Sequence, residues 1–235
     1  MNILAVDTSG PVAGVAVLRD GEVAYEAAAV NKLTHSVNLM PMVEEALGRA
    51  GLDISEIDLY ASVTGPGSFT GVRIGVSAVK GMAHGANKPC VGVDALEALA
   101  AGCCMNDMLI CPIQDARAGQ VYGAAFGPGM PPVRALDNMA EKLPAFIEKA
   151  LEVADGRRLC FLGDGVKTYE KAIMELLGDR AVFAPVHMRY LRPASVAVLA
   201  DAHQEQAVDY LTLMPVYLRA PQAERERARK LGGQA

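Results

Sequence analysis

The run Gly65-Pro66-Gly67-Ser68-Phe69-Thr70-Gly71-Val72-Arg73-Ile74-Gly75 lies between two apolar segments and constrains the fold more than any other stretch. Leu59–Val63 before it reads as a buried strand, and the small-residue stretch from Val72 to Ala86 after it reads as a helix. A strand that passes through a glycine turn into a helix aims several backbone N–H groups at one point. Such a point suits an anion or a partner's carbonyls. Neither common phosphate loop fits the run. The Walker pattern requires Lys where Val72 stands, and the dinucleotide fingerprint requires a third Gly where Thr70 stands. Ser68 lacks the flanking glycines of a serine-hydrolase elbow and is expected to bond the turn's own backbone. Gly65, Pro66, Gly67, Ser68, Thr70 and Arg73 therefore read as a structural loop. Arg73, in the first helical turn, opposes the helix dipole and needs a carboxylate or carbonyl partner.

Within that helix Gly71, Gly75, Ala78, Met82 and Gly85 recur at four-then-three spacing on one face. Each helical glycine costs about 0.5–1 kcal/mol against alanine, so a row of them implies close approach of another backbone. Either the protein's own sheet or a helix of another chain satisfies this. The preceding helix, Ser36 to Ala50, carries apolar residues on two faces: Val37, Met40, Val43 and Leu47 on one, Leu39, Met42 and Ala46 on the other. A surface helix shows a single stripe, so this one is either sandwiched internally or meets another protein. Pro41 must lie in its first turn or kink it.

At 235 residues the chain makes one large domain or two small ones, and 51% hydrophobic with 21% charged residues describes an ordered globular protein. No apolar run approaches a membrane span, the start has no basic segment of a signal peptide, and five cysteines without a CxxC suit a reducing compartment. The expectation is a cytoplasmic protein with no membrane association and with Cys90, Cys103, Cys104, Cys111 and Cys160 in the core. Through Met105 there are 6 Lys/Arg against 11 Asp/Glu, and beyond it 16 against 16, which makes a net charge of −5. An acidic chain is a poor nucleic-acid binder by itself.

Asn2–Thr8, Gly14–Leu18 and Val23–Ala29 read as strands, with Asp20-Gly21 as a hairpin turn. The helix, the strand Leu59–Val63, the glycine-turn helix, a strand at Cys90–Val93 and a helix from Asp94 to Ala101 follow. Three antiparallel strands and then αβαβ crossovers mark the ribonuclease-H-like layer of actin-like ATPases. The second half repeats the order: strands at Met108–Ile113, Gln120–Phe126 and Val133–Leu136, a helix near Glu141–Val153, a strand at Leu159–Leu162 and a helix near Tyr169–Leu177. The expected fold is α/β, an actin-like fold with two similar lobes, residues 1–106 and 107–235. The last long helix, Ser195–Gln206, is placed to pack back on the first lobe.

Asp7, Thr8 and Ser9 end the first strand, where actin-like ATPases place an acidic residue near phosphate and magnesium. The matching second-half loop, Asp115-Ala116-Arg117-Ala118-Gly119, puts bulky Arg117 where a phosphate turn wants glycine. Gly163-Asp164-Gly165 reads equally as an adenosine-side turn or an ordinary strand–helix turn. His35, His84, His187 and His203 lie far apart without second ligands, so no metal site is expected. The charged run Glu224–Lys230 reads most simply as a solvated helix.

Asp7-Thr8-Ser9, His35-Ser36, the glycine loop, Asp115-Ala116-Arg117, Leu162-Gly163-Asp164-Gly165 and Pro215-Val216-Tyr217-Leu218-Arg219 occur in an order that resembles the TsaB family. The resemblance implies a non-catalytic, activating subunit of bacterial tRNA threonylcarbamoyladenosine synthesis that binds the catalytic subunit TsaD. A small ATPase, TsaE, assists, and tRNA is met only through the complex. The implied interface comprises His35, Leu39, Met42, Val43, Ala46, Gly71, Gly75, Ala78 and Met82, which would form a homodimer when the partner is missing. No cofactor is implied for the chain alone. ATP or ADP at the partner interface would touch Asp7, Thr8 and Ser9. TsaD's two metal-binding histidines fall here on Ala95 and Leu99, which removes the transferase centre. Ala118 and Gln120 depart from the Arg and Glu more common in the family. A small actin-like kinase or ATPase, and a peptidase, are the alternatives.

Overall fold

Asp20 and Gly21 take positive φ, 50° and 84°, the geometry that closes a two-residue hairpin between β2 (Ala13–Arg19) and β3 (Glu22–Ala29). The computed structural model describes residues 1–30, 35–103 and 106–219. β1 (Asn2–Asp7) pairs antiparallel with β2 and parallel with β4 (Leu59–Gly65), which pairs parallel with β5 (Cys90–Asp94). The first sheet thus runs β3-β2-β1-β4-β5. A second sheet of β6 (Met108–Asp115), β7 (Gln120–Gly127), β8 (Val133–Lys142), β9 (Arg158–Leu162) and β10 (Ala181–Phe183) runs β10-β9-β6-β7-β8. Read from its antiparallel edge, it repeats the order of the first.

Alternation along the central strands explains the layers. Ile3 and Ala5 of β1 face one core, while Leu4 and Val6 face another. In the second sheet Cys160 and Leu162 of β9 share the first core, and Leu159 and Phe161 face a third. Both faces of each sheet are covered, which is why these strands read as unbroken apolar runs. Helices α1 (His35–Ala50) and α2 (Phe69–Ala86) cover the outer face of the first sheet. Helices α4 (Leu143–Glu152) and α5 (Gly165–Leu177) cover the outer face of the second. Between the sheets lie α3 (Ala95–Ala101) and α6 (Pro193–Ala202), and α6 packs on β1 and β2.

Several boundaries differ from the sequence reading. α2 begins at Phe69 because Ser68 caps it, and α5 begins at Gly165, well before Tyr169. β8 continues to Lys142 and takes in Glu141, so α4 starts later than expected. The last helix ends at Ala202, where His203 leaves helical geometry and a short 3-10 turn, Gln204–Gln206, follows. β10, only three residues long, escaped periodicity altogether. Pro41 stands in the second turn of α1, exposed, beyond the first turn that proline prefers. Cys90, Cys103, Cys111 and Cys160 are buried, while Cys104, Met105 and the Glu224–Lys230 run lie outside the described residues. Among the described residues no helix is long and apolar enough to cross a membrane.

Candidate functional site

The glycine turn is held from below by the end of β1. Ser68 N donates to the Ser9 carbonyl at 2.7 Å, Gly71 N donates to Ser68 Oγ at 3.2 Å, and Thr8 Oγ1 donates to the Gly71 carbonyl at 2.7 Å. A Cβ at Gly71 would strike the Thr8 carbonyl, and one at Gly75 would lie 2.7 Å from Thr8 Oγ1. The small face of α2 is therefore filled by the chain's own strands.

That closeness corrects the expected interface. Leu39, Val43, Ala46 and Met82 are buried with Gly71 and Gly75 under the two helices, and Met42 is half-buried against the same core. His35 is occupied locally, with Nε2 2.9 Å from the Gly10 carbonyl. Leu39, Val43, Ala46, Gly71 and Gly75 hold α1 and α2 on the first sheet, and Met82 also borders the groove on the outer side of α2. The outward face of α2 carries a second small stripe, Ser77, Gly81 and Gly85, four residues apart. With Ala78, Met82, Met40 and Ile54 it lines an apolar groove of about 580 Å³. Gly81 and Gly85 have nothing within 4 Å of an added Cβ. The sequence held this signal, but the stripe through Gly71 and Gly75 masked it.

Among the described residues Arg73 meets neither carboxylate nor carbonyl. Its guanidinium lies 3.9 Å over the Phe69 ring and its Nε donates to the Tyr217 hydroxyl at 2.8 Å. Tyr217 in turn stacks on Phe69, with centroids 4.6 Å apart.

A polar cleft of about 500 Å³ opens between the ends of the two sheets, bounded by Ser9, Phe69, Asp115, Arg117, Asp164 and Tyr217. Arg117 and Ala118 both take positive φ, 66° and 55°, strained for residues with a Cβ. Asp7, fully buried, accepts Ser9 N at 2.8 Å. Burial pushes its carboxyl up to about 6, against the pull of Ser9, His35 and the Thr8 N–H. Burial also raises Asp164 to about 6, with the nearby Asp115 charge adding and backbone N–H groups opposing. Thr8, expected near a nucleotide, donates its hydroxyl to the Gly71 carbonyl. Among the described residues, Ser9 Oγ, Gln114 Oε1 and Asp164 Oδ1 are buried without hydrogen-bond partners, and all three residues line the cleft. Gln114 went unnoticed in the sequence, since a lone Gln at a strand end carries no pattern. Ala95 and Leu99 of α3 are buried and apolar.

A protein-family model described as "TsaD: tRNA N6-adenosine threonylcarbamoyltransferase" matches residues 29–226. The tRNA threonylcarbamoyladenosine biosynthesis protein TsaB of Bacillus subtilis is 34% identical over 95% of this chain and 96% of its own length. The chain belongs to the TsaB family. The Escherichia coli family member is 37% identical over 54% of this chain and 55% of its own length. Among solved structures, YeaZ from Pseudomonas aeruginosa superposes with a TM-score of 0.74 at 26% identity, covering 92% of this chain and 99% of that one. At 12% identity and a TM-score of 0.51, component A of (R)-2-hydroxyglutaryl-CoA dehydratase from Acidaminococcus fermentans shares the fold alone, over 87% of this chain and 99% of its own. The fold is α/β and actin-like, with the family's glycine loop seated against β1.

Proposed function

We propose that the chain is a non-catalytic subunit of tRNA threonylcarbamoyladenosine synthesis that activates a TsaD-like catalytic subunit by docking to it. The observation that carries this reading is the Ser77–Gly81–Gly85 stripe beside Met40 and Ile54. A helix face without bulk lets a partner helix approach closely, and flexible methionine adapts to what it meets. An apolar groove left bare would favour self-association, so the same surface makes a homodimer when the partner is missing. TsaE and tRNA meet this chain through the assembled complex, in the cytoplasm. ATP or ADP is held at the partner boundary rather than by this chain alone, because Asp7, Asp115 and Asp164 gather carboxylates where phosphates would lie. Apolar Ala95 and Leu99 supply no metal ligand, which fits a chain that leaves the transfer step to its partner.

The test is co-elution with purified TsaD on size exclusion. Gly81→Arg points its side chain into open groove and leaves the fold alone, so it should abolish the heterodimer while thermal stability holds. A folded Gly81→Arg chain that still pairs with TsaD would rule the groove out.

A further inference from the structure

Two openings meet at the seam between the sheets. The polar cleft and a much smaller cavity of about 10 Å³ share Ser9, Gly10, Pro11, Gln114 and Asp164 as walls. Ser9 follows β1, Gln114 lies near the end of β6, and Asp164 stands in the turn before α5. Ser9 is 1% exposed and Gln114 is 6% exposed. Yet among the described residues Ser9 Oγ, Gln114 Oε1 and Asp164 Oδ1 have no hydrogen-bond partner. Unpartnered buried polar atoms are rare in native proteins, and three around one cavity mark a place where a ligand supplies the hydrogens.

The three atoms select its chemistry. An amide oxygen and a carboxylate oxygen accept hydrogen bonds, and a hydroxyl oxygen accepts as well as donates. The cavity has room for a group about the size of one water molecule. Charge decides between water and its rivals. Asp7 has His35 nearby to offset its charge. Asp164 has burial and the Asp115 charge against it, and only backbone N–H groups ease it. A buried carboxylate in that position is costly unless a cation pairs with it, and water brings no charge. Among the described residues no three His, Cys, Asp or Glu gather as a metal group, and two of the three free oxygens are neutral. An ammonium group brings three N–H donors, a compensating charge and the right size, and its bonds to a carboxylate are of the stronger, charge-assisted kind. A planar guanidinium is too large for the cavity.

We propose that Ser9, Gln114 and Asp164 bind the primary ammonium head of a small aliphatic amine whose carbon stem lies in the adjoining cleft. The shared walls give the stem its way out, and Phe69, Val216 and Tyr217 on the cleft's border give it apolar surface. The site is separate from the docking groove, which lies on the outer face of α2, so it stands or falls apart from the proposed pairing with a catalytic subunit. Bound amine joins residues of both sheets and so fixes the two borders of the cleft against each other.

The experiment titrates the full chain at neutral pH with n-butylammonium chloride. Butyltrimethylammonium chloride, which keeps stem and charge but has no N–H, and KCl run in parallel. n-Butylammonium should give one-site binding heat and, at about ten times its dissociation constant, raise the melting temperature by about 3–5 °C, while the two controls do neither. Asp164→Asn and Gln114→Met, which keep shape and remove charge or oxygen, should each weaken binding about tenfold or more. Gly81→Arg, on the far groove, should bind the amine like the unaltered chain. A crystal of the unaltered chain with n-butylammonium should show the stem in the cleft and the nitrogen within hydrogen-bond distance of Gln114 Oε1 and Asp164 Oδ1, and it decides the matter if a variant fails to fold. The proposal is overturned by no saturable binding, by equal binding of butyltrimethylammonium, by affinity retained in both folded variants, or by a cavity that holds water only in that crystal.

Discussion

Arg73 and Tyr217, far apart in sequence, are joined by a 2.8 Å hydrogen bond from the Arg73 Nε to the Tyr217 hydroxyl. The bond fastens the final described segment across α2 and the glycine turn. Val216 N donates to the Thr64 carbonyl at 2.8 Å, and Lys80 Nζ donates to the Leu213 carbonyl at 3.0 Å. Arg219 Nη1 then reaches the Ala116 carbonyl at 2.8 Å, in the loop of the second sheet. The strap therefore links both borders of the cleft.

Replacing Tyr217 should separate ring from hydroxyl. Tyr217→Phe removes one partly exposed hydrogen bond, worth about 0.5–1 kcal/mol, while Tyr217→Ala also removes the stack on Phe69 and should cost about 1–2 kcal/mol. For a chain of this size that is a fall in melting temperature of about 2–6 °C for the alanine variant. Equal losses in the two variants would show that the ring stack contributes nothing.

The two glycine stripes of α2 should respond with opposite sign. Gly81→Ala and Gly85→Ala enter open space in a helix and should each stabilise by about 0.5–1 kcal/mol. Gly75→Leu must push into Thr8 Oγ1 and Ser62 Oγ at the end of β1 and β4, and should destabilise by about 3 kcal/mol or more. Urea midpoints of the three variants decide this, and a stable Gly75→Leu would refute the packing described for Thr8.

The layers were legible because fully covered strands and their hairpin turns write strong patterns: Ile3 to Val6, Leu159 to Leu162 and Asp20-Gly21 are local signals. Which stripe of α2 faces inward was not legible. Gly71-Gly75 and Ser77-Gly81-Gly85 both recur at helical spacing, and only the position of Thr8, fixed by β1 pairing with β4, selects between them. Arg73 was misjudged for a similar reason, since its partner lies on a segment whose path depends on the whole first sheet. Gln114 and Asp164 come together only when the two sheets meet, so no spacing announces them.

Acid–base behaviour should expose the two buried carboxyls. Asp7 and Asp164 are raised to about 6 from an ordinary 3.8, so the folded chain binds more protons than the unfolded chain between those values. Their stabilising contribution is complete below the unfolded value and is lost as pH rises through about 6. Stability should therefore fall between about pH 4 and 6, by about 2–3 kcal/mol for each group at full effect. Glu26 works in the other direction. Burial raises it, but the Arg192 bond, the Ala194 N–H and the Arg192 charge together hold it low, so its contribution disappears only in stronger acid. Asp164→Asn should roughly halve the slope between about pH 4 and 6, and a stability profile that rises across that window would contradict the burial of both groups.

In the cell, docking and stability should separate cleanly. Deleting the gene should remove threonylcarbamoyladenosine from tRNA while the threonylcarbamoyl adenylate made upstream continues to form, because the chain is proposed to act on the transfer step alone. Gly81→Arg should behave like the deletion at unchanged protein level, since a loss of about 4 kcal/mol at the groove weakens pairing about a thousandfold. Gly81→Ala should leave modification intact, and Tyr217→Phe should do the same because the strap lies beside the groove and not within it. Mass spectrometry of the modified nucleoside, at matched levels of each variant, reads all of these. Full modification in Gly81→Arg cells, with the chain present and folded, would mean that activation does not pass through the face of α2.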